Sequence, residues 1–163
     1  MHSGFNEFRQ KMTGPVAFRL FLLTQLPSAF FAGLRIKLID ETKVVIGVRQ
    51  KWFNKNPFRS IYFAILSMAA EMSTGLAAFS AVYKRKAPVS MLVIANEARF
   101  YKKATGKILF TCNDMQAVHA AVEEAVGTGK GVTIICKSVG TNEANEIVAE
   151  FSVTWSFKAK GAR

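Results

Sequence analysis

Cysteine and histidine are scarce in this sequence. Its 163 residues include two cysteines and two histidines, and none of these lie close enough together in the sequence for a zinc-binding motif. Cys112 and Cys136 lie in apolar, strand-like stretches, which favours buried free thiols over a disulfide and suits a reducing cytoplasm. His2 and His119 are too isolated to activate either thiol as a nucleophile. We therefore expect a cytoplasmic protein with no metal and no bound cofactor.

Acidic residues are also scarce, because 11 aspartates and glutamates stand against 22 lysines and arginines and leave a formal net charge of +11. Such an excess suits a basic solvated surface or an anionic partner, which could be nucleic acid, an anionic membrane or a phosphate-bearing ligand such as coenzyme A. No nucleic-acid recognition motif accompanies the charge, so nucleic acid is not expected. The Gly129-Lys130-Gly131 stretch lacks the spacing of a phosphate-binding loop.

The N-terminal region lacks an apolar run of membrane-spanning length. Residues 16–26 are mostly apolar, but Arg19 and other polar residues interrupt them, and the run is well below roughly 20 residues. No small-residue cleavage site follows, so a signal peptide is not predicted. The pattern predicts a helix docked on the core, within an N-terminal helical extension of residues 1–31. Phe30, Phe31 and the basic charge leave open a weak peripheral contact with a membrane.

Residues 60–79 form the longest almost wholly apolar stretch. Ser60 suits the N-cap of a helix, and apolar side chains on every side of that helix are typical of a buried position. Glu71 is the only charged residue inside the stretch. Burying an unpaired carboxylate costs several kcal/mol, so Glu71 is expected to face a cavity, a partner subunit or a boundary.

Most of the remaining chain is patterned as antiparallel strands. A second helix is predicted after Asn113, where Gln116 completes a capping-box spacing. This order predicts one α+β domain of residues 1–163, with a curved antiparallel sheet wrapped around a long central helix and an extra N-terminal helix. The domain core spans residues 32–158, and residues 159–163 form a basic tail. The predicted strands cover residues 34–38, 44–48, 91–94, 97–103, 107–112, 132–136 and 147–158.

The stretch from Asn56 to Glu71 contains a spaced motif. Tyr62 follows Asn56 by six residues, and Glu71 follows Tyr62 by nine. Together with the order of elements over residues 34–158, this stretch resembles the hotdog-fold superfamily, in its thioesterase-like branch. It is similar to the phenylacetic-acid-type thioesterases and to a related hotdog family known only as a domain of unknown function.

In those thioesterases the stretch is N-x-x-G-x-x-H-G-G, and an acidic residue lies nine positions after the histidine. Asn56 and Glu71 match this pattern. The other positions depart from it, with Arg59, Tyr62, Phe63 and Ala64 in place of the first glycine, the histidine and the paired glycines.

The resemblance implies a catalytic chemistry. The helical carboxylate, here Glu71, activates water or attacks the carbonyl carbon of a thioester, while Asn56 positions substrate or water. Backbone N–H groups at the start of the helix, here those of Phe63 and Ala64, hold the developing oxyanion. Tyr62 takes the place of the histidine and donates through its hydroxyl.

The resemblance also implies a ligand and an assembly. The ligand is an acyl thioester of coenzyme A or of a carrier protein, bound at the interface of a homodimer or a dimer of dimers. The phosphates of coenzyme A require cations at the mouth of such a site. The candidate cations are Lys84, Arg85, Lys86, Lys102 and Lys103.

Other interpretations of the same residues stay open. Glu71 also suits a structural contact across a dimer seam, Asn56 an ordinary turn, and Tyr62 a packed ring with its hydroxyl in water. The lysines also suit a solvated surface. Two functional hypotheses therefore remain: an acyl-CoA thioesterase, and a hotdog protein that binds acyl groups or lipids after losing the full active site.

Overall fold

The computed structural model describes residues 4–160. The helices in this range are α1 Gly4–Thr13, α2 Pro15–Gln25, α3 Pro27–Ala32, α4 Phe63–Val82 and α5 Met115–Thr128, with a short 3-10 helix at Trp52–Asn54. The strands are β1 Arg35–Ile39, β2 Val44–Arg49, β3 Val89–Phe100, β4 Lys107–Cys112, β5 Val132–Thr141 and β6 Ile147–Ala159.

The strands form one antiparallel sheet in the order β1-β2-β4-β5-β6-β3. The predicted hairpin is confirmed as β1–β2. The sequence predicts two short strands within residues 91–103, but β3 is one continuous strand, because β6 pairs with it from Val89 to Phe100. Within residues 4–160, β3 is an edge strand, and its residues 94–100 are exposed.

Helix α4 lies in the centre of the molecule, and the sheet curves around it as predicted. It begins at Phe63 rather than at the predicted cap, Ser60. The hydroxyl of Ser60 instead bonds to the side chain of Asn56, and the N–H of Tyr62 donates to the carbonyl of Asn54 at 2.8 Å. These bonds keep the residues before the helix extended, so the helix starts later than the sequence indicates.

The core lies between α4 and the concave side of the sheet. Alternate residues of β4 and β6 are buried, as the alternation in the sequence predicts. The helix contributes small buried side chains, which let the strands approach its backbone closely. These buried small residues include Ala69, Ala70, Ala77 and Ala78.

Three helices precede the sheet, where the sequence predicts one extra N-terminal helix. Pro15 and Pro27 each stand at the start of a helix, and a proline cannot donate the backbone hydrogen bond of a helix interior, so the segment is divided. Helix α1 packs Phe8 against Phe79 of α4, with ring centroids 5.3 Å apart. Helix α2 buries Phe18 against the core.

Helix α4 is also the one helix among the described residues that is long and apolar enough to cross a membrane by length and composition. However, 61% of its most apolar window is buried inside the protein. Its apolar character is therefore explained by its place at the centre of the fold.

Candidate functional site

Glu71 lines an apolar cavity of about 150 Å³, which we call the Glu71 cavity. Its walls come from α2, α4, β3 and β6, and Glu71 is the one ionisable side chain among them. A cavity of this composition suits an apolar ligand with one polar group beside the carboxylate. The other lining residues are Phe21, Leu26, Met72, Gly75, Leu76, Phe79, Met91 and Trp155.

The Glu71 carboxylate has no hydrogen-bond or ion-pair partner between residues 4 and 160. Burial raises the pKa of Glu71 above its ordinary value, because desolvation disfavours the charged form and no neighbouring cation offsets it. A carboxylate with a raised pKa is a stronger base than an exposed one. Of the three surroundings expected for Glu71, which were a cavity, a partner subunit or a boundary, the described residues provide a cavity.

The side chain of Asn56 forms hydrogen bonds within its own loop. Its Oδ1 atom accepts hydrogen bonds from the N–H groups of Phe58 at 3.0 Å and Ser60 at 3.1 Å. Its Nδ2 atom donates to the hydroxyl of Ser60 at 3.0 Å. The carboxamide therefore folds residues 56–60 into a tight turn, as asparagine side chains often do.

Arg59 adopts an unusual backbone conformation in this loop. Its φ is 60°, in the left-handed region, and the thioesterase motif has glycine at this position. This conformation costs a residue other than glycine roughly 1 kcal/mol or more. The carbonyl of Arg59 accepts a hydrogen bond from Nε2 of Gln50 at 2.9 Å, which helps to hold the loop in place. The loop keeps a backbone that favours glycine although the residue is arginine.

A second cavity of about 300 Å³ lies at the start of α4, and we call it the N-terminal cavity. The N–H groups of Phe63 and Ala64 have no backbone acceptor among the described residues, as expected in the first turn of a helix. Tyr62 is half exposed, and its ring packs edge-on against Phe63 at 4.9 Å. Asn56 and Lys103 also line this cavity. Phe63 lines this cavity whereas Ala64 does not, so the N–H of Phe63 makes the cavity suited to an anionic or partly charged oxygen.

Glu71 lines the Glu71 cavity but not the N-terminal cavity. Because a helix rises about 1.5 Å per residue, the nine residues from Tyr62 to Glu71 correspond to about 13 Å along α4. The described chain therefore places Asn56, Tyr62 and Phe63 in one cavity and leaves Glu71 in a separate cavity.

Two of the five candidate cations lie at the N-terminal cavity. Lys102 and Lys103 both line it. Lys102 also pairs with Glu146, with Nζ and Oε1 2.5 Å apart, at an exposed position. Exposed pairs of this kind contribute little to stability, so Lys102 remains available to a ligand.

The other three cations follow the opposite end of α4, roughly 30 Å from its start. Lys84 pairs with Glu7 at 2.5 Å, and Arg85 pairs with Glu123 at 2.8 Å. Lys86 is exposed beside them. The five candidate cations therefore form two groups, of which only Lys102 and Lys103 line the N-terminal cavity.

Trp155 is a neighbour of Glu71 that the sequence did not single out. Its indole Nε1–H donates to Oγ1 of Thr74 at 3.0 Å, which fixes the ring inside the Glu71 cavity. The alternation along β6 predicts that Trp155 points inward. It does not indicate which turn of α4 the ring covers, because that depends on how the sheet wraps the helix.

Residues 4–160 contain neither a candidate metal site nor an activated thiol. Among residues 4–160, no group of three or more potential ligands is placed to hold a metal ion. Cys112 and Cys136 are buried free thiols, as predicted. Burial raises the pKa of Cys112 to about 11 and also raises the pKa of Cys136, so neither is an activated thiolate.

A curved antiparallel sheet around one long central helix defines the hotdog fold. Solved structures share it, among them a protein of unknown function from Pseudomonas aeruginosa described as a probable thioesterase. That structure has a TM-score of 0.74 and 21% identity, over 92% of this chain and 99% of its own. A protein of unknown function from Chlorobaculum tepidum has a TM-score of 0.75 and 15% identity, over 96% of this chain and 94% of its own.

A thioesterase from Haemophilus influenzae has a TM-score of 0.64 and 12% identity, over 88% of this chain and 91% of its own. No family profile matches the sequence, and no curated protein matches it. At these identities the likeness shows the fold, which is that of thioesterase-like hotdog proteins.

Proposed function

We propose that this chain is a cytoplasmic thioesterase that hydrolyses an acyl thioester of coenzyme A, with Glu71 as its catalytic carboxylate. The observation that carries this proposal is the Glu71 cavity. It holds one carboxylate, without a polar partner among residues 4–160, inside otherwise apolar walls. The walls suit an acyl group, and the raised pKa of Glu71 makes it a stronger base than an exposed carboxylate.

In the proposed reaction, Glu71 takes a proton from a water molecule as its oxygen attacks the thioester carbonyl carbon. The carbonyl oxygen becomes an oxyanion, which the N–H groups of Phe63 and Ala64 stabilise. Collapse of this tetrahedral intermediate breaks the C–S bond. The thiolate leaves and takes the proton from Glu71, and the products are a carboxylic acid and a free thiol.

A site that uses both Glu71 and the helix N–H donors needs a second copy of the chain, because α4 separates the two by about 10–12 Å. The exposed edge of β3 supports such a homodimer. It carries large apolar side chains at Leu92, Ile94 and Phe100, which are 64%, 52% and 50% exposed. A two-fold pairing of β3 edges would set two α4 helices side by side in opposite directions. Glu71 of one copy would then approach the start of α4 in the other.

The cations of the N-terminal cavity support the choice of coenzyme A. Lys102 and Lys103 lie beside the proposed oxyanion donors and suit the phosphates of that ligand. Assembly of two such dimers into a dimer of dimers is compatible with the same site.

The experiment is a thiol-release assay with short, long and aromatic acyl-CoA thioesters. Glu71→Gln keeps the shape of the side chain and removes the base, so we expect kcat/KM to fall about 100-fold or more while the circular dichroism spectrum is retained. Glu124→Gln, at an exposed position of α5, is the matched control and should keep full activity. Equal turnover by wild type and Glu71→Gln would contradict the proposal, as would a wild type that hydrolyses none of the thioesters.

The non-catalytic alternative is favoured by two observations. The Asn56 carboxamide is engaged by its loop, and tyrosine replaces the histidine of the thioesterase motif. A protein that binds acyl groups or lipids without hydrolysis should retain an acyl ligand in native mass spectrometry. It should also show no turnover in either wild type or Glu71→Gln, which distinguishes it from the thioesterase.

A further inference from the structure

The outer side of α2 is apolar where a surface helix is normally polar. Val16, Leu20 and Leu23 recur at helical spacing and are 78%, 59% and 44% exposed. The opposite side of the same helix buries Phe18 and Leu22 against the core. The exposed stripe therefore contributes nothing visible to the packing of residues 4–160, and its apolar character needs another explanation.

A second apolar group lies where α3 meets the 3-10 helix. The rings of Phe31 and Phe53 pack against each other with centroids 6.1 Å apart, and both are about half exposed. Trp52, the next residue to Phe53, is 82% exposed. Exposed tryptophan and phenylalanine rings are typical of the boundary between water and lipid.

Three cations lie beside these apolar groups. Nζ of Lys51 lies 5.9 Å from the centroid of the Phe53 ring, and the guanidinium of Arg19 stacks 3.6 Å from the centroid of the Phe30 ring. Arg19 and Arg35 together line a surface cleft of about 290 Å³.

These cations are close enough to repel one another. Desolvation lowers the pKa of Lys51, and the charges of Arg19 and Arg35 lower it further. Desolvation, and then the charge of Arg35, likewise lower the pKa of Arg19. No carboxylate between residues 4 and 160 forms an ion pair with any of the three. An anionic partner would relieve this repulsion.

The segment of residues 8–70, which contains the three cations, has a large excess of positive charge. Residues 8–70 contain ten of the 22 lysines and arginines but only two of the 11 acidic residues, Asp40 and Glu41. Such a segment attracts an anionic surface over a distance of about a Debye length.

We propose that this side of the molecule docks on the surface of an anionic lipid bilayer. We call it the basic-apolar face, and it consists of Val16, Leu20, Leu23, Phe31, Trp52 and Phe53 with Arg19, Arg35 and Lys51. The apolar side chains enter the boundary between headgroups and acyl chains, and the three cations pair with lipid phosphates.

The charges of Arg19, Arg35 and Lys51 also argue against a second copy of the chain as the partner that covers the basic-apolar face. A two-fold contact through this face would bring two copies of the same basic cluster together, and like charges facing each other cost free energy. An anionic membrane can bury the apolar stripe and can pair its phosphates with the three cations.

The basic-apolar face adjoins the Glu71 cavity. Leu26, at the end of α2, is 45% exposed and also lines that cavity, together with Phe21. A bilayer on this face would therefore lie next to the cavity, although membrane binding does not depend on whether Glu71 catalyses hydrolysis.

The experiment is co-sedimentation of the full chain with lipid vesicles. One vesicle is phosphatidylcholine alone and the other contains phosphatidylglycerol as well. We expect binding to the anionic vesicles that weakens as the salt concentration rises, because salt screens the attraction between the cations and the lipid phosphates. Arg35→Gln/Lys51→Gln should weaken this binding roughly 25-fold, at about 1 kcal/mol for each cation near the surface.

Two further variants separate the sources of binding. Leu20→Ser/Leu23→Ser should weaken binding about tenfold through the loss of apolar contact. Lys130→Gln/Lys137→Gln removes the same charge from exposed positions outside the face and should change binding less than about twofold. Circular dichroism checks the fold of each variant, and if the leucine variant unfolds, the two charge variants decide.

Three results would overturn the proposal. The first is an absence of binding to anionic vesicles. The second is equal weakening by the control pair and by Arg35→Gln/Lys51→Gln. The third is dissociation of an oligomer by Leu20→Ser/Leu23→Ser in analytical ultracentrifugation, because that would identify a second copy as the occupant of the face.

Discussion

The carboxylate of Glu71 folds against Gly75. Its Oε1 atom lies 3.0 Å from the position that a Cβ atom at residue 75 would occupy, and the Trp155 ring lies 3.4 Å from the same point. A glycine one helical turn after the acid therefore leaves space for the carboxylate inside the Glu71 cavity. This contact suggests a test that moves the carboxylate without removing it.

We expect Gly75→Ala to separate stability from activity. Alanine favours a helix by about 1 kcal/mol over glycine, but here its methyl group presses on the Glu71 carboxylate, so the free energy of unfolding should change by less than about 1 kcal/mol. Displacement of the carboxylate should lower kcat/KM for thioester hydrolysis about tenfold. Urea denaturation and the thiol-release assay measure the two effects.

Gly127→Ala is the matched control for this variant. Gly127 is also helical, and nothing lies within 4 Å of the Cβ position there. The control should gain up to about 1 kcal/mol of stability and keep full activity. If Gly75→Ala gained the same stability and kept the same activity, the contact with Glu71 would have no functional importance.

The raised pKa of Glu71 predicts a dependence of stability on pH. The folded chain holds the Glu71 proton more tightly than the unfolded chain, whose glutamate titrates near its ordinary value of 4.5. As the pH rises between the two pKa values, the unfolded chain has lost this proton while the folded chain retains it, so Glu71 lowers the free energy of unfolding. Below the ordinary pKa the penalty is absent, and above the folded-state pKa it stays constant.

Glu71→Gln removes this penalty. The free energy of unfolding of the variant, relative to wild type, should therefore increase as the pH rises above the ordinary pKa of 4.5 and level off above the folded-state pKa of Glu71. Urea denaturation at a series of pH values measures the difference, in which the other titrating groups cancel. Glu124→Gln controls for the loss of one negative charge. A difference for Glu71→Gln that is flat or falls with pH would show that Glu71 is not desolvated.

Arg59 offers a test of the loop before α4. Because its φ is 60°, Arg59→Gly should relieve backbone strain and raise the free energy of unfolding by up to about 1 kcal/mol. Lys55→Gly in the same loop is the control, since Lys55 has a φ of −81° and gains nothing from glycine. The control should lose about 0.5–1 kcal/mol. Equal losses in both variants, measured by urea denaturation, would show that the loop does not hold Arg59 in this conformation.

The sequence determines much of the fold because its patterns are local. The apolar stretch with Glu71 predicts the central helix, and the alternation over residues 147–158 predicts β6 and its buried face. Both follow from side-chain periodicity, which a linear sequence records directly. The sequence predicts the start of α4 too early, because the hydroxyl of Ser60 bonds to Asn56 in a turn and does not cap the helix. The sequence also predicts one N-terminal helix where the structure has three, because two prolines divide the segment.

The sequence by itself determined that one carboxylate would lie in an apolar helix and would face a cavity, a partner subunit or a boundary, because burying it unpaired in a packed core is costly. Only the tertiary structure decided what surrounds that carboxylate. Trp155 and Phe21 line the cavity of Glu71 from distant parts of the chain, and α4 keeps the helix N–H donors about 10–12 Å away from Glu71. Spacing along a chain gives distance along one helix, whereas the walls of a cavity depend on how separate elements pack.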